Sequence, residues 1–342
     1  MKKLILFMLS AMLFLFASCG DDREVLRVYN WGDYIAPGVI EQFEEEENIR
    51  VIYEMFEQNE DMYTKIKNSN NSYDILIPSD YMIERMIEED MLAPIDFSGI
   101  ENYANIDPEY KNLSFDPENK YSVPYMWGTV GILYNKTMVD GPIDSWESLW
   151  DPKYESNIIM MNSQRDAIGT TLKYLGYSLN DLNPEALEAA KAKLIEQCPL
   201  VLTWVVDEVK DKMIAGEAAL ALVYAGDAVY CKSFNSDLEY VIPKEGSNIF
   251  FDSMCIPKNC RNKAAAEKFI NFMCRPDIAA QNAEYIGYSS PMSAARELMG
   301  EAGKDPTAYP DITKYNLEIF SSLGDKTKIY DEIWTEIKTQ MS

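Results

Sequence analysis

The chain has 342 residues, with 31 lysines and arginines against 56 aspartates and glutamates, no histidine, and a formal net charge of −25. Such a charge repels phosphates at long range, which argues against nucleic acid or an anionic membrane surface as partner and fits a cationic ligand or solubility alone. Without histidine, Ser-His and Cys-His nucleophile pairs are excluded, and a metal site of the usual His/Cys kind is not expected.

In chain order, Lys2 and Lys3 precede an apolar run over residues 4–17 that ends at Ser18-Cys19 and is followed by Gly20-Asp21-Asp22. This pattern predicts a signal peptide over residues 1–18, shorter than the roughly 20 apolar residues of a spanning helix. Phe16-Ala17-Ser18-Cys19 resembles a bacterial lipobox, with Phe16 where the pattern prefers leucine. The resemblance implies a lipid on Cys19, and ordinary cleavage near Ser18 is the alternative. Cys198, Cys231, Cys255, Cys260 and Cys274 are odd in number, so at least one thiol stays unpaired. Cys255 lies in an apolar run and Cys274 beside Phe272 and Met273, so both are expected to be buried.

About 320 residues remain after the leader, a length suited to two lobes. Residues 25–29 read as a strand, 37–47 as a helix with a solvated acidic end, 50–55 as a strand, 62–68 as a helix and 73–78 as a strand. This alternation predicts βαβ units and a mainly parallel sheet, with ligands at the carboxyl ends of strands. A second α/β lobe is expected to open around Tyr134-Asn135-Lys136, with helices through Trp146 and Trp150 and strands over 158–161 and 218–224. A helix over 264–273 stops at Arg275-Pro276, since proline disfavours helix in the residue before it, and a last helix covers 329–338.

No G-x-x-x-x-G-K-[ST], G-x-G-x-x-G or G-x-S-x-G run occurs. Paired carboxylates could serve glycoside hydrolysis, but with 56 acids such pairs arise by chance, so no enzyme is expected. Aromatics and acids instead coincide near four strand ends: Tyr29-Asn30-Trp31-Gly32-Asp33-Tyr34, Pro78-Ser79-Asp80-Tyr81, Tyr224-Ala225-Gly226-Asp227 and Phe250-Phe251-Asp252-Ser253. Trp31 alone would ordinarily fill a core; four coincidences point to a site lined by rings and carboxylates. An ammonium over an aromatic face gains about 0.5 to 2 kcal/mol, and a charged hydrogen bond contributes about 1.5 to 3 kcal/mol, so the lining suits an organic cation.

Several longer runs are similar to the spermidine/putrescine-binding proteins of bacterial ABC importers. They are Tyr29-Asn30-Trp31 with Tyr34, Tyr73-Asp74 leading to Pro78-Ser79, Val123-Pro124-Tyr125-Met126-Trp127-Gly128, Ser145-Trp146 with Leu149-Trp150, Pro243-Lys244-Glu245-Gly246, Ile270-Asn271-Phe272 with Arg275-Pro276-Asp277, and Ile286-Gly287-Tyr288. The resemblance implies an α/β, two-lobed, periplasmic-binding-protein-like fold of type II with the ligand cleft between the lobes. Its expected division is residues 24–133 plus 257–308 for lobe 1 and 134–256 plus 309–342 for lobe 2.

The same resemblance implies that Trp31, Tyr34, Ser79, Tyr81, Tyr224, Phe250 and Tyr288 supply rings and hydroxyls, and Asp33, Asp166, Asp227 and Asp252 the ammonium partners. Asp252 is the firmest acid. Tyr224 stands where relatives have tryptophan, Ser163 where spermidine-binding relatives have an acid, and Phe320 where they have a polar side chain. Asp227 and Phe250-Phe251-Asp252 look more like the putrescine-binding branch. The implied partners are a polyamine and an ABC permease, with a monomeric protein, no cofactor, no metal and no nucleic acid. The implied place is periplasmic or at the cell surface, tied to a membrane only through Cys19. A polyamine sensor, or a binding protein for another small organic cation, is the alternative.

Overall fold

The computed structural model describes residues 21–68 and 72–341, so the leader and Cys19 lie outside the described residues. The first half alternates β1 (Glu24–Trp31), α1 (Val39–Glu47), β2 (Ile49–Phe56), α2 (Asn59–Asn68), β3 (Ile75–Leu76) and α3 (Asp80–Glu88), then enters the long strand β4 (Ser122–Asn135). The second half contains β5 (Ile158–Met161), α4 (Gln164–Tyr174), α5 (Pro184–Gln197), β6 (Val201–Val205), α6 (Val209–Ala215), β7 (Leu220–Tyr224), α7 (Ala225–Phe234), β8 (Leu238–Val241) and β9 (Ser247–Cys255). The chain ends with α8 (Lys263–Met273), α9 (Pro276–Ile286), α10 (Ser293–Leu298), β10 (Leu317–Glu318) and α11 (Thr327–Lys338). No described helix is long and apolar enough to cross a membrane.

The strands follow the order β2-β1-β3-β9-β4-β7-β5-β6, with β10 added to β9 and β8 to β4. The outer sets are parallel, β1 with β2 and β3, and β5 with β6 and β7. The expectation of a mainly parallel sheet fails in the middle, where β4 runs antiparallel to β9, β7 and β8 and β9 runs antiparallel to β3. Neither strand shows simple alternation: β9 is buried along its whole length. In β4, Pro124 sits at a register shift, a position where a missing ladder donor is tolerated.

These two strands carry the chain between two hydrophobic cores. Leu26, Val28, Phe43, Ile49, Met82, Trp127 and Phe269 belong to the first core, and Val130, Trp146, Ile158, Leu222, Tyr330 and Trp334 to the second. The cores divide within β4 between Trp127 and Val130, a few residues before the expected opening of the second lobe. Along β9, Ile249, Phe251, Met254 and Cys255 pack in the first core and Phe250 in the second, so the strand serves both. The acidic end of α1 is ion-paired rather than merely solvated: Glu44 meets Arg23, Glu46 meets Arg275 and Glu47 meets Lys268. Among the described residues the five cysteines are free thiols, four of them buried and Cys260 half-buried.

One buried carboxylate locks the first lobe to the crossing strand. Asp80, fully buried at the first turn of α3, accepts the Tyr81 N–H at 2.7 Å and the Phe251 N–H of β9 at 3.0 Å. Burial pushes its pKa well above the usual carboxylate range, opposed by the two backbone hydrogen bonds. Asp80 therefore fixes Ser79 and Tyr81 against Phe250 and Asp252. Asp80→Ala removes the acceptor and leaves the buried Phe251 N–H without its partner. A loss of about 1.5 to 3 kcal/mol in urea denaturation is expected.

Candidate functional site

The carboxyl ends of both parallel sets converge on one cleft. Residues at the ends of β1 (Trp31 to Tyr34), β2 (Glu57 to Glu60), β3 (Ser79 to Tyr81), β5 (Asn162 to Gln164, and Asp166), β6 (Val206, Asp207 and Lys210) and β7 (Tyr224, Asp227) line it, joined by Asn248, Phe250 and Asp252 from β9. This is the expected place for a ligand in an open parallel sheet, here supplied by two lobes at once. The space these residues enclose is about 1120 Å³ when its open mouth is counted. Its lining carries eight carboxylates, from Asp33, Glu57, Glu60, Asp80, Asp166, Asp207, Asp227 and Asp252, against a single lysine, Lys210.

Asp252 occupies the floor. Only 4% exposed, it accepts hydrogen bonds from the Ser79 hydroxyl on Oδ1 at 2.6 Å and from the Tyr34 hydroxyl on Oδ2. Burial raises its pKa to about 6, the two hydroxyls pull it down and the charge of Asp166 pushes it up. Tyr34 is a fixed donor, because burial and the Asp252 charge hold its own pKa well above the ordinary phenol value.

A second group lies at the Tyr81 end. Asp166, 6% exposed, accepts from Ser163 Oγ at 2.6 Å and Tyr224 OH at 2.8 Å, while Glu60 accepts from Tyr81 OH at 3.0 Å. Burial raises the pKa of both acids. Behind them the Arg165 guanidinium packs on Tyr81 at 4.6 Å and on Phe320 at 4.5 Å and donates to the Ser321 carbonyl at 3.0 Å. Ser163 is the N-cap of α4 and its hydroxyl orients Asp166.

The third group is at the mouth. Asp33 projects from a left-handed residue with φ 47° and meets Lys210 across the cleft at 3.6 Å, with Asp207 at 4.0 Å from the same ammonium. Burial raises the Asp227 pKa to about 7, with Lys210 lowering it and Asp207 and Asp33 raising it.

Aromatic rings bridge these groups. Tyr288 makes edge-on contacts with Tyr34 at 5.5 Å, Phe250 at 5.5 Å and Tyr224 at 6.4 Å, and Trp31 leans on Phe56 at 4.5 Å. Tyr288 can lie there because α7 begins with Ala225-Gly226: a Cβ on Gly226 would stand 1.4 Å from Tyr288 Cδ1. Gly287, which ends α9 with φ 83°, lets the two backbones approach, since its own Cβ would meet the Gly226 carbonyl at 2.8 Å.

Trp31, Asp33, Tyr34, Ser79, Tyr81, Asp166, Tyr224, Asp227, Phe250, Asp252 and Tyr288 all line this one cleft. Asp33 differs from the other acids in being largely exposed and already ion-paired. Sequence reasoning did not single out Glu60, Asp207, Lys210 or Asn248 as site residues. Asn248 could have been found from the period of two that places it on the same face as Phe250 and Asp252. Glu60, Asp207 and Lys210 follow strand ends but carry no aromatic neighbour to mark them.

The bacterial extracellular solute-binding protein family model matches residues 38–314. The spermidine/putrescine-binding periplasmic protein of Salmonella typhimurium is 39% identical over 326 residues, covering 94% of each chain. This chain belongs to that family. Among solved structures, the spermidine/putrescine ABC transporter substrate-binding protein of Streptococcus pneumoniae is 45% identical at TM-score 0.80, covering 93% of this chain and 100% of its own. A lipoprotein of Treponema pallidum is 27% identical at TM-score 0.82, covering 92% and 99%. These neighbours share the two-lobed fold, so this solute-binding protein carries its aromatic and acidic groups in the cleft between its lobes.

In this binding protein, Gly226→Ala forces the Tyr288 ring out of its seat. Overpacking of this kind costs about 1 to 3 kcal/mol. Urea denaturation should show that loss, and unchanged stability would mean that the ring has room to move.

Proposed function

We propose that this chain is an extracytoplasmic binding protein that holds a polyamine, putrescine or spermidine, in the interlobe cleft and delivers it to an ABC-type permease. The supporting observation is the imbalance of the lining: eight carboxylates and one lysine, interleaved with the rings of Trp31, Tyr34, Tyr224, Phe250 and Tyr288. Asp252 carries most of the weight, since hydroxyls hold it and leave its charge to be balanced by a ligand. An ammonium at Asp252 and methylenes against the rings use both features at once. The spermidine/putrescine-binding relative agrees with this reading.

Capture follows from the fold. β4 and β9 cross between the lobes, so bending there opens and closes the cleft about a fixed floor. Closure removes water from the carboxylates and strengthens each contact with a cation.

Calorimetry with putrescine and spermidine tests the reading, and no heat from either would overturn it. The raised pKa values of Asp252 (about 6) and Asp227 (about 7) set the pH dependence. A cation prefers the ionised carboxylates, so affinity should rise as pH increases through these values, and binding below about pH 7 should release protons. Asp252→Asn should weaken binding by about tenfold or more, equivalent to about 1.4 kcal/mol, and remove the step near pH 6. Near-native affinity in that variant would remove Asp252 from the site.

We further propose that Cys19 carries a lipid anchor, on the strength of Phe16-Ala17-Ser18-Cys19 and of the lipoprotein from Treponema pallidum. Cys19→Ala should move the exported protein from the detergent-extracted membrane fraction to the soluble fraction. A wild-type chain found wholly in the soluble fraction would refute the anchor.

A further inference from the structure

A cation of the protein's own already stands in the cleft. Lys210, near the start of α6, places its Nζ 3.6 Å from Asp33 Oδ2 on the opposite lobe and 4.0 Å from Asp207 Oδ1, and its side chain is only 19% exposed. Asp227, at the first turn of α7, feels the same ammonium. The two mouth loops come close here: a Cβ on Gly32 would stand 3.8 Å from Asp207 Oδ2. Three other carboxylates of the cleft are served differently. Asp252 is held by the hydroxyls of Ser79 and Tyr34, Asp166 by those of Ser163 and Tyr224, and Glu60 by that of Tyr81.

We propose that Lys210 is a specificity-determining residue. Its ammonium takes the cation position at the Asp33, Asp207 and Asp227 end of the cleft, leaves Asp252 and the Asp166 and Glu60 end to a ligand with two ammonium groups, and disfavours a ligand with a third. A ligand ammonium entering that end must displace Lys210 from Asp33 and Asp207 or share them with it, and like charges within about 4–6 Å oppose each other. The lysine also has the advantage of a tether, which presents it to Asp33 and Asp207 at an effective concentration of order millimolar or above. The inference rests on the polyamine reading above.

A purely mechanical role is distinguishable. Were the pair between Lys210 and Asp33 only a closing contact between lobes, its loss would weaken every ligand by the same factor. The decisive quantity is therefore the ratio of spermidine to putrescine affinity, measured by calorimetry on the full exported chain. Lys210→Met should shift that ratio toward spermidine by about fivefold or more, and Lys210→Arg, which keeps the charge, should hold the wild-type ratio. Lys210→Gln gives the same comparison if methionine disturbs folding, as judged by thermal unfolding. A smaller shift, a shift toward putrescine, or an arginine variant that behaves like the methionine one overturns the inference while leaving polyamine binding intact. A wild-type protein that binds neither ligand removes the underlying reading and this inference together.

Discussion

The arrangement of the cleft depends on a buried carboxylate held by hydroxyls. Asp252 sits on β9, one of the strands that cross between the lobes, and is gripped from one side by Ser79 at the start of α3 and from the other by Tyr34 after β1. Hydroxyl donors satisfy the oxygens without neutralising the charge, and burial then raises the pKa to about 6. Such a group is costly to bury and is poised for a cationic partner. Asp80, one residue beyond Ser79, ties the same helix start to Phe251 and so keeps the three contributors in register.

Two of the rings rest on backbone as well as on other side chains. Tyr288 lies directly on Gly226, and Phe250 lies on Gly128, where a Cβ would come within 2.7 Å of the ring. Close backbone approach removes the freedom of a side chain to repack, so the aromatic walls are set before any ligand enters. Rigid rings and a charged floor reduce the ordering that binding requires. The mouth is different in kind: Asp33 and Lys210 belong to opposite lobes and meet only where the lobes do.

Much of the fold was legible in the sequence because its outer parts obey local rules. The strand over 158–161, the helix ending before Arg275-Pro276 and the early βαβ alternation all appear where hydrophobic periodicity and proline place them. The crossing strands were not legible in the same way. β9 is buried on both faces and so shows no alternation, and the mixed sheet arises from where β4 and β9 pair, which is a long-range choice. The lobe boundaries followed suit, since neighbouring residues of one strand, Phe250 and Phe251, belong to different cores.

For the site, local composition set the chemistry: no histidine, a large acidic excess, and aromatic and acidic residues side by side at strand ends. Those are local properties, and the residues they marked lie together in one cleft. How the acids divide among three positions, and which of them already has a partner, follows from long-range packing. Lys210 lies 177 residues from Asp33 in the chain, and nothing near it in the sequence distinguishes it from any other helix lysine. Its meaning comes from the approach of two lobes, a contact that local pattern does not encode.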